Sequence, residues 1–196
     1  MKRFRSRGPK RTTRWLIDAL ADGVTTGSSL LDIGGGVGEI QHELASHGVL
    51  SITNVDASSA YQERAREEAE ARGYLPRADY RYGDFVQIAP QVDEADIVAL
   101  DRVICCYDDV DALVGLSSAK ARRLYGVVFP RSKWWTRVGF GMINLVQRLR
   151  RASFRAFLHS PVRVEQLLSD DGFYRVFHRE SLVWRVSVYR RNGSAA

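Results

Sequence analysis

Five short apolar runs interleaved with helical patterns restrict this chain more than any other feature. The runs are Ser29–Ile33, Ser51–Val55, Asp79–Tyr82, Asp96–Leu100 and Leu124–Phe129. Helical spacing appears at Trp15, Leu16, Ala19 and Leu20, over Glu39–His47 with Ile40 and Leu44 on one face, over Ala57–Arg72, and over Val110–Lys120. Gly23, Gly48 and Gly73 punctuate the ends of the first three. Strands alternating with helices build right-handed βαβ units, so the chain is expected to form a doubly wound, Rossmann-like α/β sheet. Two further runs, Tyr174–Arg179 and Ser181–Tyr189, leave little room between them and suit an antiparallel pair at the sheet edge. At 196 residues, one core is expected, a single domain over residues 12–196 preceded by a basic arm over residues 1–11. No apolar stretch reaches the length of a membrane span, and the first residues lack a signal-peptide pattern, so a cytoplasmic location is expected.

Charge is distributed unevenly. The net charge is +6, but residues 18–111 hold 19 carboxylates against six arginines, whereas residues 112–164 hold 11 Lys/Arg and no carboxylate. Residues 1–17 add seven more basic side chains without an acid. A basic flank beside an acidic half suits an anionic partner, although solubility alone also explains it. The two cysteines, Cys105 and Cys106, are adjacent; they form neither a disulfide framework nor a spaced metal-ligand set, and small thiols of this kind usually pack. No metal site is expected.

The chemistry is concentrated at the strand ends. Leu30-Leu-Asp-Ile-Gly-Gly-Gly-Val-Gly38 runs a strand into alternate glycines, Gly34, Gly36 and Gly38, which let backbone approach a ligand beside a helix N-terminus. The dinucleotide register fails here, because the position where its third glycine belongs is Glu39 or Gln41, and nicotinamide or flavin binding becomes the runner-up. The loop follows Asp32, and three more acids sit at successive strand ends: Asp56, Asp84 with Phe85 behind it, and Asp101. Ligands of open α/β sheets bind at those ends. Asp56 can accept two ribose hydroxyls, and Asp84 an exocyclic amine while Phe85 covers the ring.

This arrangement resembles the class I S-adenosylmethionine-dependent methyltransferases over about residues 12–190. The resemblance implies a seven-stranded sheet with an antiparallel last strand. It also implies that Asp32, Gly34, Gly36 and Gly38 hold the methionine part of S-adenosylmethionine, Asp56 the ribose, and Asp84 and Phe85 the adenine, with Asp101 beside the amino-acid moiety. A narrower similarity is carried by the glycine run, by Asp101-Arg-Val-Ile-Cys-Cys-Tyr107 and by Phe154-Arg-Ala-Phe-Leu-His159, which look like stretches of the magnesium-protoporphyrin O-methyltransferases. The chain departs from them at Cys105 and Cys106, where that family has a histidine, and in its shorter N-terminal region.

The expected activity is methyl transfer to a small acceptor, more readily oxygen than nitrogen: a carboxylate or a phenol, acidic and apolar. Tyr107 on the loop after the fourth strand and His159 after the basic segment are the candidate catalytic groups; His42, His47 and His178 are read as structural groups on helix or strand surfaces. Segment 131–160 is basic and amphipathic. Three readings stand for it: a lid over the acceptor, an interfacial helix with Trp134 and Trp135 at the headgroups of an anionic membrane, or a stripe packed on the sheet with its arginines in water. Nucleic acid is disfavoured, since no RNA-binding module is present and the fourth-strand corner lacks the Asn/Asp-Pro-Pro-aromatic sequence of base-amine methyltransferases. A binding protein without catalysis, acting on RNA or membrane through the basic flank, is the alternative from another class.

Overall fold

The structure is a computed structural model that describes residues 8–151 and 155–194. Most of the basic arm and Phe154 therefore lie outside the described residues. Along the chain, α1 (Arg11–Ala21), β1 (Ser29–Ile33), α2 (Glu39–Ser46), β2 (Ser51–Asp56), α3 (Ser59–Ala71) and β3 (Ala78–Tyr82) come first. The single turn α4 (Phe85–Ile88), β4 (Ala95–Asp101), α5 (Val110–Ala119), β5 (Ala121–Pro130), α6 (Trp134–Leu149), α7 (Pro161–Asp170), β6 (Phe173–Glu180) and β7 (Trp184–Arg191) follow.

The strands form one seven-stranded sheet in the order β3-β2-β1-β4-β5-β7-β6. β1 to β5 are parallel, and β7 slots between β5 and β6, antiparallel to both. The doubly wound sheet with an antiparallel last strand is present as expected. Because side chains alternate across a strand, each strand feeds two cores. Leu30, Ile52 and Ile97 pack against Leu16, Leu20 and Leu44 on one face. Leu31, Val98 and Tyr125 meet Leu113, Val164 and Leu168 on the other. The chain reverses direction across the sheet between β1 and β4, and that switch point opens a crevice at the carboxyl ends.

The structure differs from the sequence reading in four places. β5 begins at Ala121, not Leu124: Ala121 pairs with Ala95 ahead of a register shift, and the charges of Arg122 and Arg123 hide that start in the sequence. α7 was not expected, although Pro161 at its first turn and the buried Val164 and Leu168 four residues apart mark it. His42 is not on a helix surface but 1% exposed. α6 does not pack its apolar stripe on the sheet: Trp134 is 73% and Leu149 75% exposed, and of its residues only Thr136 is buried. This overturns the third reading of segment 131–160. The helix turns Thr136, Phe140, Asn144 and Gln147 inward.

Candidate functional site

The loop between β1 and α2 is held by its glycines. Gly34, Gly36 and Gly38 all have left-handed φ, at 61°, 56° and 84°. A Cβ on Gly34 would lie 2.5 Å from Val103 Cγ2, whereas one on Gly36 meets nothing closer than the Gly34 carbonyl at 4.0 Å. Gly36 therefore faces open space, its backbone presented to a ligand. Its N–H donates to Asp56 Oδ2 at 2.8 Å, and Ser58 N–H donates to Asp56 Oδ1 at 2.7 Å. The carboxylate at the end of β2 thus bridges the glycine loop and the entry to α3.

The strand-end acids converge. Asp32 is 1% exposed, and its Oδ2 has no hydrogen bond, nor has the buried Oδ1 of Asp101. Burial, then the neighbouring charges of Asp101 and Asp56, push the Asp32 carboxyl up to about 8, against a smaller opposing pull from the Gln41 amide. Burial also raises Asp101, while Arg102, with Nε 3.7 Å from Asp101 Oδ1, and the Thr13 hydroxyl, donating to Oδ2 at 2.7 Å, work to lower it. Asp32 Oδ2 and Asp101 Oδ1, neither with a hydrogen bond, make a place for a further cation.

Two cavities meet at Gly34. One, of about 270 Å³, is walled by Asp56, Gly83, Asp84, Phe85, Cys106 and Tyr107. The other, of about 340 Å³, is walled by Lys10, Asp32, Gly36, Glu39, Asp101 and Arg102. Asp84 Oδ1 caps α4 by accepting from Val86 N–H at 3.0 Å, and its Oδ2 accepts from the Tyr107 hydroxyl at 3.1 Å. Phe85 is buried behind it. All the predicted cofactor positions except Gly38 line one cavity or the other; Gly38 instead caps α2 from beneath the loop.

The two predicted catalytic groups sit beside each other. Burial and the bond to Asp84 push the Tyr107 phenol up to about 12. His159 Nε2 lies 2.7 Å from the Tyr107 carbonyl oxygen, which can only accept, so Nε2 carries a proton and donates it. Its ring stacks on Phe157, whose N–H donates to the Cys105 carbonyl at 2.8 Å. The cysteines divide: Cys105 is buried, whereas Cys106 is exposed on the first cavity's wall.

Sequence reasoning missed Lys10, Glu39 and Arg102, which wall the second cavity, and Thr13, which bonds Asp101. One local signal existed for Arg102, its place directly after Asp101. The glycine loop also rests on a polar layer not foreseen. Gln41 Nε2 donates to Tyr80 Oη at 2.7 Å, Asn54 Nδ2 donates to Gln41 Oε1 at 2.9 Å, and His42 Nε2 donates to the Val37 carbonyl at 2.8 Å. Burial lowers His42 to about 4, so it stays neutral there and accepts a hydrogen bond from the Tyr74 hydroxyl at Nδ1.

The family model described as "Methyltransferase domain" matches residues 31–116, the stretch that carries the glycine loop and all four strand-end acids. Residues 31–116 are a methyltransferase domain. Solved structures show the same fold over nearly the whole chain. Magnesium protoporphyrin IX methyltransferase from Synechocystis PCC 6803, with bound S-adenosylhomocysteine, aligns with a TM-score of 0.74 and 21% identity, over 93% of this chain and 82% of that one. A putative sarcosine dimethylglycine methyltransferase from Galdieria sulphuraria gives 0.70 and 15%, over 92% and 85%. An O-methyltransferase family protein from Burkholderia thailandensis gives 0.72 and 14%, over 92% of this chain and 56% of that one. A search of curated proteins found no match to the sequence.

Proposed function

We propose that the protein methylates an oxygen atom of a small, acidic and apolar acceptor, a carboxylate or a phenol. The observation that carries this reading is the position of the carboxylate-free stretch 112–164, whose return leg is bonded through His159 to Tyr107 on the cavity wall and through Phe157 to Cys105 beside it. Such a flank draws an anion toward the cavities. The likeness to a magnesium protoporphyrin IX methyltransferase and to an O-methyltransferase family protein agrees with it.

The residues fit S-adenosylmethionine. The second cavity offers the bare oxygens of Asp32 and Asp101 to an ammonium and Lys10 and Arg102 to a carboxylate, which is the charge pattern of an amino acid. The first offers Asp56 for the ribose and Asp84 with Phe85 for the adenine. Gly34 and Gly36 form the backbone floor between the two, with Gly38 capping the helix below. Bound there, the cofactor supplies an electrophilic methyl group on sulfur.

The protein's own part is alignment, exclusion of water and handling of one proton. A carboxylate acceptor arrives ionised and needs no base. A phenol, with a pKa of about 10, must lose its proton. In this reading the Nδ1 lone pair of His159 takes it, while Tyr107 holds its own proton and fixes Asp84. His159→Ala is expected to lower phenol turnover roughly 10²–10⁴-fold while carboxylate turnover changes little; equal losses on both acceptors would remove His159 from the chemistry. Asp56→Ala strands the amides of Gly36 and Ser58, and is expected to weaken S-adenosylhomocysteine binding by ~1–3 kcal/mol, checked by calorimetry.

The deciding experiment incubates the protein with methyl-labelled S-adenosylmethionine and a panel of aryl carboxylates, phenols and amines. Label that alkali releases as methanol marks an ester, and label on a phenol marks an ether. Label found only on amines overturns the oxygen reading.

A further inference from the structure

α6 is amphipathic in the wrong sense for a helix of a soluble core. At 100° per residue, Trp134, Leu145, Val138, Leu149, Met142, Trp135 and Val146 fall within one arc of about 120°. All of them are exposed, from 37% at Trp135 to 75% at Leu149. The buried Thr136 and the half-buried Phe140, Asn144 and Gln147 lie on the opposite side, and Asn144 fixes that side by exchanging two hydrogen bonds of 2.8 Å with the Ala156 backbone. The helix is therefore pinned with its apolar stripe pointing away from the protein.

The charges around the stripe decide what covers it. Arg137 and Arg148 border one edge of the arc, and Lys133, Arg150 and Arg151 stand at the two ends. Residues 112–164 contain no acid to pair with them. A second copy docked by the same face would bring two such cationic rims together with no counter-charge, a repulsive isologous contact. An anionic lipid surface neutralises the rim, receives the arc among its acyl chains and places the tryptophans at headgroup level.

We infer that α6 seats the protein on an anionic membrane surface, lying in the interface plane. Its root follows the carboxyl end of β5, and its return leg is bonded to Tyr107 on the wall of the first cavity and to Cys105, next to Cys106 on that wall. A seated helix therefore puts the cavity rim beside the headgroups, within reach of an amphiphilic acceptor. Among the described residues no helix is long and apolar enough to cross a membrane, so the attachment is peripheral.

The test is sedimentation of the full chain with vesicles of phosphatidylcholine alone or with about a third phosphatidylglycerol, without cofactor or acceptor. The result is thus independent of the methylation reading. Binding is expected to be at least tenfold stronger to the anionic vesicles and to fall with salt. Both W134S/L145S/L149S and R137E/R148E are expected to lose at least tenfold of it while melting as the parent does, since these side chains are exposed. The basic N-terminal arm stays intact in both variants. Undiminished vesicle binding by W134S/L145S/L149S assigns the contact to that arm or to charge alone and overturns the inference. So does absence of vesicle binding by the parent, whether or not the stripe then proves to hold a dimer in sedimentation equilibrium.

Discussion

Gly36→Val is expected to remove S-adenosylhomocysteine binding, by at least a hundredfold in calorimetry, while the protein still folds. The two consequences separate because of where the new atoms go. A Cβ at Gly36 has no protein atom closer than 4.0 Å, so the valine meets no neighbour and instead occupies the second cavity. The left-handed φ of 56° costs a side-chain-bearing residue about 1–2 kcal/mol, which is a melting-temperature loss of some 2–8 °C at roughly 2–4 °C per kcal/mol. The next-door residue behaves in the opposite way. A Cβ on Gly35 would lie 2.3 Å from Asn54 Nδ2 and 2.8 Å from Asp32 Oδ2, so Gly35→Ala is expected to damage folding first. If Gly36→Val binds the product with parental affinity, the ligand lies elsewhere.

Asp32→Asn is expected to stabilise the unliganded protein, increasingly so as pH rises. The Asp32 carboxyl, ordinarily near 3.8, stands at about 8 in the folded chain because it is buried beside Asp101 and Asp56. The folded state therefore holds a proton that the unfolded state releases. The contribution of this group to stability is complete below about pH 4, declines as pH rises, and is gone above about pH 8. Asparagine keeps an acceptor for the Gln41 amide and carries no charge to bury. Melting curves of the two proteins are expected to coincide near pH 4 and to diverge by on the order of 5 kcal/mol at pH 8. The same substitution is expected to weaken binding of S-adenosylmethionine, whose ammonium would compensate the buried charge. Parallel melting curves across this range would show that Asp32 is already ionised or already neutralised by the chain itself.

The parts of the site legible in the sequence were those written as local pattern. Asp32, Asp56, Asp84 and Asp101 could be placed because each follows an apolar run whose period marks a strand, and parallel strands present their carboxyl ends on one side. The glycines declared the loop. What stayed hidden depends on tertiary placement: Lys10 walls the second cavity and Thr13 bonds Asp101 only because the start of α1 lies against the same end of the sheet, and nothing in their own neighbourhood signals it. His42 shows the same limit, since helical spacing gave its face but not the tyrosine of β3's approach that buries it. For α6 the stripe was plain in Trp134, Val138, Met142 and Leu145, but a stripe carries no sign, and only the Asn144–Ala156 pair shows which side of the helix the protein keeps.

The bridge from Asp56 to the amides of Gly36 and Ser58 has a kinetic meaning. Because folding has already tied the carboxylate to the bend, a nucleoside bound as proposed would have no segment to order at this point. In the proposed reading, association there would be governed by encounter and desolvation rather than by ordering of the loop.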